Sequence, residues 1–163
     1  MTTEDGSNRS WAILFARLVL GFIFFMAAVW KVFTLGTVAH ARQLFVDPYA
    51  HTFLPRWALW TTGAAIPWVE LLGGALLLIG LRTRAALLML GGVLVLVTFG
   101  HLLLEPLYEF HTHVIPRLAL LLFILVMPAS EDFFSLDAWL LRRRTRKKAR
   151  TDAGPESLGH AKG

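Results

Sequence analysis

Glu70 is the one carboxylate in the long apolar stretch from Trp57 to Arg84. Counted as helix, thirteen residues at about 1.5 Å each set it about 20 Å below Trp57, near the middle of a bilayer whose hydrocarbon is about 30 Å thick. An acid at that depth costs about 2.5–3.5 kcal/mol on insertion scales, so it has to face protein or water and find a basic partner. Arg17 and Lys31 lie in the preceding apolar stretch. With the two stretches antiparallel, Glu70 falls between them in height, about 10 Å from each Cα. Arg17 is the first expected partner, because its long side chain closes most of that distance, and Lys31 is the second. A buried acid beside cations is the form a proton relay takes in a membrane. It is also the form of an ion pair that only fixes helix register.

In the next apolar stretch Leu87, Gly91, Leu94, Thr98, His101 and Glu105 recur at steps of four and three. That spacing makes one helical seam. The expected intramembrane polar site is therefore Arg17, Lys31, Glu70 and His101. Glu105, Glu109, His111 and His113 crowd into nine residues just beyond it and form a candidate metal site. Carboxylate and imidazole together suit a divalent cation, and the His111–His113 spacing suits a loop. Haem b held by His101 and His113 would need both at one depth facing inward, and is not expected. His40 and His51 are expected to be solvated. Cysteine is absent from the sequence, which excludes thiolate chemistry, disulfides and cysteine-ligated clusters. Any redox role has to run through a bound cofactor, a quinone or a partner protein.

The elements that position these residues follow from composition. Apolar residues make up 56% of the 163 and charged ones 17%, more apolar and less charged than a soluble domain. The expected fold is all-α: an integral membrane four-helix bundle with spans at about 11–33, 57–81, 85–104 and 111–127, and a short interfacial helix over 130–141. Residues 1–10 carry no apolar pattern and are expected to fray. The first apolar run is too long for a signal-peptide core and contains both cations, so it is expected to stay in the protein.

Along the first span Arg17, Gly21, Phe24, Ala28 and Lys31 share one stripe, with small residues beside the charges, so the stripe is expected to face other helices. The alternative is that both cations snorkel to opposite interfaces. Gly36 is the expected stop, with Thr37 capping a short amphipathic piece through Phe45.

The net charge of +5 is local, because Arg142, Arg143, Arg144, Arg146, Lys147, Lys148 and Arg150 supply seven of the sixteen cations. This run opens a tail, 142–163, expected to be disordered and to meet anionic lipid. Without interleaved aromatics it is not expected to bind nucleic acid. The basic Arg82/Arg84 turn and the tail fall on one side of a four-span protein, which makes both termini cytoplasmic.

Arg17-Leu18-x-Leu20-Gly21, Lys31, Glu70-Leu71-x-Gly73-Gly74, Leu78-Ile79-Gly80-Leu81-Arg82-Thr83-Arg84 and Phe134-Ser135-Leu136-Asp137 occur in that order. Together they make residues 12–141 resemble the DoxX family of four-helix membrane proteins. The resemblance implies a four-helix bacterial inner-membrane protein associated with quinone-linked electron transfer, and the first reading is an accessory subunit of a redox system with a redox partner protein, its own catalytic activity left open. From the residues alone, a small proton-coupled transporter using Glu70 and a structural scaffold stay open as alternatives.

Overall fold

The computed structural model describes residues 3–105 and 110–152, and these are helical apart from short connections. Helix α1 runs Thr3–Val29 and passes into a π-helical turn, Trp30–Gly36. Gly36 takes φ +84°, and the chain restarts as α2, Thr37–Ala41, followed by a second π-helical turn, Arg42–Val46. The long helices α3, Arg56–Ile79, and α4, Thr83–Leu104, come next. The short α5, Phe110–His113, leads into α6, Ile115–Val126, and the chain closes with α7, Leu136–Asp152. Three helical stretches, 6–46, 56–79 and 83–104, are long and apolar enough to cross a membrane, with α6 a shorter apolar helix beside them. The protein is an all-α membrane protein.

Local chemistry sets the ends. Gly80 is left-handed (φ +68°), its N–H donates to Leu77 O and the Leu81 N–H to Leu76 O, which closes α3 in a Schellman turn. Gly36 stops the first run as expected, but it occupies the cap position itself, and Thr37 makes no side-chain cap.

The helices pack through small residues. A Cβ on Gly74 would lie 2.7 Å from the Phe25 backbone nitrogen, and one on Gly63 2.7 Å from the Ala41 Cα. So α1 lies against the second half of α3, and α2 against its first half. Ile13, Leu20, Phe24, Leu77, Leu87 and Leu121 fill the space between α1, α3, α4 and α6. A second apolar cluster, around Val46, Tyr49 and Leu59, sits under the 47–55 connection.

Two expectations change here. The N-terminal segment is helical from Thr3, and Ser10 is buried, donating to Glu131 O at 2.7 Å while Arg9 pairs with the Glu131 carboxylate. The basic run does not begin a disordered tail: α7 carries it in helix to Asp152. Helix-forming Arg, Lys and Leu dominate it, and Ser135 caps its start by accepting from the Ala138 N–H at 3.1 Å.

Candidate functional site

The polar residues of the interior fall into two centres at opposite ends of the α1–α3 pair. Close approach fixes the register. Gly74 meets Phe25, and Gly21 meets Leu78 at 3.0 Å, so residue numbers on the two antiparallel helices sum to about 99 at equal height. Glu70 is therefore level with Val29. Lys31 is two residues, about 3 Å, from that level, whereas Arg17 is twelve residues, about 18 Å, away. Glu70 pairs with Lys31, Nζ to Oε2 at 2.5 Å, and not with Arg17. The expected first partner is thus corrected to the second. The sequence supplied both cations, but the backbone contact at Gly74 decided between them.

Glu70 is 5% exposed, and the Lys31 side chain 22%. Lys31 projects from the π-helical turn, a local widening that recurs at functional sites, into a cavity of about 490 Å³. The walls of that cavity are apolar, and its polar lining is Lys31, His40, Tyr49, Thr62 and His101. Leu44, Leu96, Phe99 and Leu104 form part of it and are exposed on apolar faces, so it opens toward lipid.

His40 is buried, contrary to the solvated position expected of it. The reason lies in α3. Pro67 has no N–H, so the Gly63 carbonyl loses its intrahelical donor. His40 Nδ1 supplies one at 2.8 Å. His51 is exposed as expected. His101 bonds Val97 O at 2.8 Å and meets the same cavity. Tyr49 is buried, its oxygen close against Gly100, and burial pushes its phenol pKa up, which keeps it a donor. Tyr49 and His40 belong to the site and were not selected from sequence. The signal available for His40 was Pro67, inside a helix four residues from a glycine.

Arg17 belongs to the other centre. It is 1% exposed, donates through Nη2 to Phe134 O at 3.2 Å and faces Asp132 at 3.6 Å. It is not snorkelling. A side chain at Gly80 would collide with its guanidinium. Asp137 accepts from the Arg82 and Thr83 N–H groups at 2.9 and 3.0 Å and so caps α4. This offsets the left-handed Arg82 (φ 47°). Burial pushes the Asp132 carboxyl above its ordinary value, against the pull of Arg17 and a Ser135 hydrogen bond.

Of the candidate metal residues, Glu105 and His111 are exposed. Glu109 and the His113 side chain lie outside the described residues. Among the described residues no three histidines, aspartates or glutamates converge.

A bundle of apolar helices with a paired acid in its interior, beside a cavity open to lipid, defines a polytopic membrane protein with an internal polar site. Residues 9–109 match the family model of the methylamine utilisation protein MauE, and the chain belongs to that family. The resemblance to DoxX holds only at the level of a helical membrane-protein family. The match spans the Lys31–Glu70 centre and Arg17 but ends before Asp132 and Asp137. No curated protein and no solved structure matches the chain.

Proposed function

We propose that the protein is an accessory membrane subunit of a redox system, and that the Lys31–Glu70 centre serves a quinone bound in the neighbouring cavity. The family is named for methylamine utilisation, which agrees at a coarse level with an accessory membrane role. The observation that carries the reading is a lysine, held by a buried carboxylate, lining a lipid-facing apolar cavity. A quinone arrives through lipid and needs apolar walls for its tail and a few donors for its ring oxygens. Lys31 and the Tyr49 hydroxyl are such donors. Electrons pass to or from a partner protein, because the chain has no cysteine and brings no thiol couple.

The proton-coupled carrier reading has less support. Between Glu70 and Arg17 the α1–α3 interface is filled by Leu20, Phe24 and Leu77, which leaves no line of polar groups across it. The basic end, with Arg82, Arg84 and α7, is assigned to the cytoplasmic side of a bacterial inner membrane by the positive-inside bias.

The test is purification of the full chain in mild detergent with solvent extraction of bound quinone. Quinone is expected to be enriched over the bulk lipid extract and lost in Lys31→Gln, while Glu70→Gln, whose amide oxygen still accepts from Lys31, inserts and assembles at reduced stability and weakens retention. A preparation carrying no more quinone than the bulk extract would overturn the reading. Loss of insertion or assembly in Glu70→Gln would favour the scaffold alternative.

A further inference from the structure

Proline 67 sits near the middle of α3, where the position of its missing N–H has a specific consequence. In an uninterrupted helix residue 67 would donate to Gly63 O. Here that carbonyl is left over inside the protein, beside a glycine that admits the α2 backbone to within 2.7 Å of where a Cβ would stand. Close approach brings His40 to the carbonyl, and Nδ1 lies 2.8 Å from Gly63 O. A carbonyl oxygen only accepts, so Nδ1 carries the proton. A second proton on the ring would add an uncompensated cation to a buried site where the Glu70 carboxylate is already paired with the Lys31 ammonium. The ring is therefore neutral with its lone pair on Nε2. Its Nδ1 edge is committed to the backbone, and the ring lines the same cavity as Lys31 and Tyr49.

Of the other polar groups lining this cavity, Lys31, from the π-helical turn, offers only hydrogens, the Tyr49 and Thr62 hydroxyls donate or accept, and His101 is bonded to its own helix at Val97 O. His40 Nε2 is an acceptor whose tautomer is fixed by the backbone. We infer that the Pro67–Gly63–His40 arrangement makes the cavity selective for a lipophilic ligand that carries a hydroxyl, so that the reduced form of a quinone, the quinol, binds more tightly than the oxidised form. The quinol O–H donates to Nε2, which a quinone carbonyl cannot do, since two acceptors face each other without a hydrogen between them. His40 is a ligand-contacting residue, and Pro67 is a positioning residue that acts through Gly63. The inference rests on the proposed quinone site.

The experiment measures binding of decylubiquinol and of decylubiquinone to the full chain in detergent, for the wild type, His40→Asn and Pro67→Ala. One neutral hydrogen bond sets the scale, so wild type is expected to prefer the quinol about three- to tenfold. Asparagine keeps a donor for Gly63 O but has no acceptor at the Nε2 position, its own Oδ1 standing closer to the backbone, so His40→Asn is expected to reduce the preference for the quinol. Pro67→Ala restores the helical N–H, competes with His40 for the carbonyl, and is expected to reduce the preference while α3 stays intact. Ring nitrogen NMR of His40 gives a readout independent of either variant's folding, with the proton expected on Nδ1. Equal wild-type affinity for the two forms, or a proton found on Nε2, would overturn this inference and leave the quinone site standing. Binding of neither form would instead remove the proposed function beneath it.

Discussion

A carboxylate and an ammonium in contact within a membrane interior stabilise the fold only when both are present. Removing one partner leaves a buried charge, at about 3–5 kcal/mol, whereas replacing both with apolar groups of similar volume is close to neutral. Glu70→Ala is therefore expected to lose stability by that amount, and the double variant Lys31→Met/Glu70→Leu to melt near wild type in detergent. The double variant separates register from function. A normal melt with lost quinone retention marks the pair as a working site, and a lowered melt with unchanged retention marks it as structural.

Asp132 gives a prediction of opposite electrostatic sense. Burial raises its pKa above the ordinary 3.8, so the folded protein holds this proton more tightly than the unfolded chain. Its contribution to stability is then full below that ordinary value and is lost as pH rises through the raised one. Thermal melts across about pH 4 to about pH 7 are expected to show wild type losing stability relative to Asp132→Asn as pH rises. A difference that grows in the other direction would show that the attraction to Arg17 outweighs burial. At this scale the sequence was informative about which residues matter and poor at pairing them. Arg17, Lys31 and Glu70 were conspicuous as charges in apolar runs. The partner of Arg17, however, lies 115 residues away in a turn whose acids resemble any surface acids.

Elements show the same division between local and distant causes. Gly36 was readable as a stop because a left-handed residue after an apolar run is a local event, and Gly80 stops α3 in the same way. The sequence places the start of α4 at about 85, two residues past the observed Thr83, but does not show its cap. Its cap is Asp137, 54 residues away from Thr83, so no nearby residue announces it. Asp137→Ala is expected to cost about 1–2 kcal/mol through loss of the cap. It should also raise amide exchange at Arg82 and Thr83 specifically. Uniform exchange across α4 would mean that the carboxylate contributes to general packing and not to the cap. The register of α1 on α3 was illegible for a related reason. Small residues at 21, 73 and 74 signalled a close contact, but only three-dimensional fit decides which backbone atom each one admits.

At the scale of the whole molecule, one end of the bundle is tied together by contacts among α1, the α3–α4 turn and residues 131–137. Ser10 and Arg9 hold Glu131, Arg17 holds Phe134, and Asp137 holds the α3–α4 turn. The start of α7 is therefore fixed, and the helix presents its cations from a rigid base. Arg143 lies over the Trp139 ring at 4.4 Å, and a groove lined by Ile79, Phe134, Leu136, Trp139 and Arg146 runs beside it at the membrane end of α3. Aromatic and aliphatic walls next to guanidinium groups that face no carboxylate among the described residues suit a phospholipid whose headgroup carries net negative charge, at about 1 kcal/mol per cation near the surface. Native mass spectrometry of the detergent-purified chain is expected to retain phosphatidylglycerol over phosphatidylcholine. Arg143→Gln/Arg146→Gln should abolish that preference, and Arg144→Gln, on another face of α7, should leave most of it. A loss in Arg144→Gln about half that of the double variant would mean that lipid senses only the summed charge of the helix. The fixed geometry of its first turn would then play no part in how this end of the protein meets the membrane.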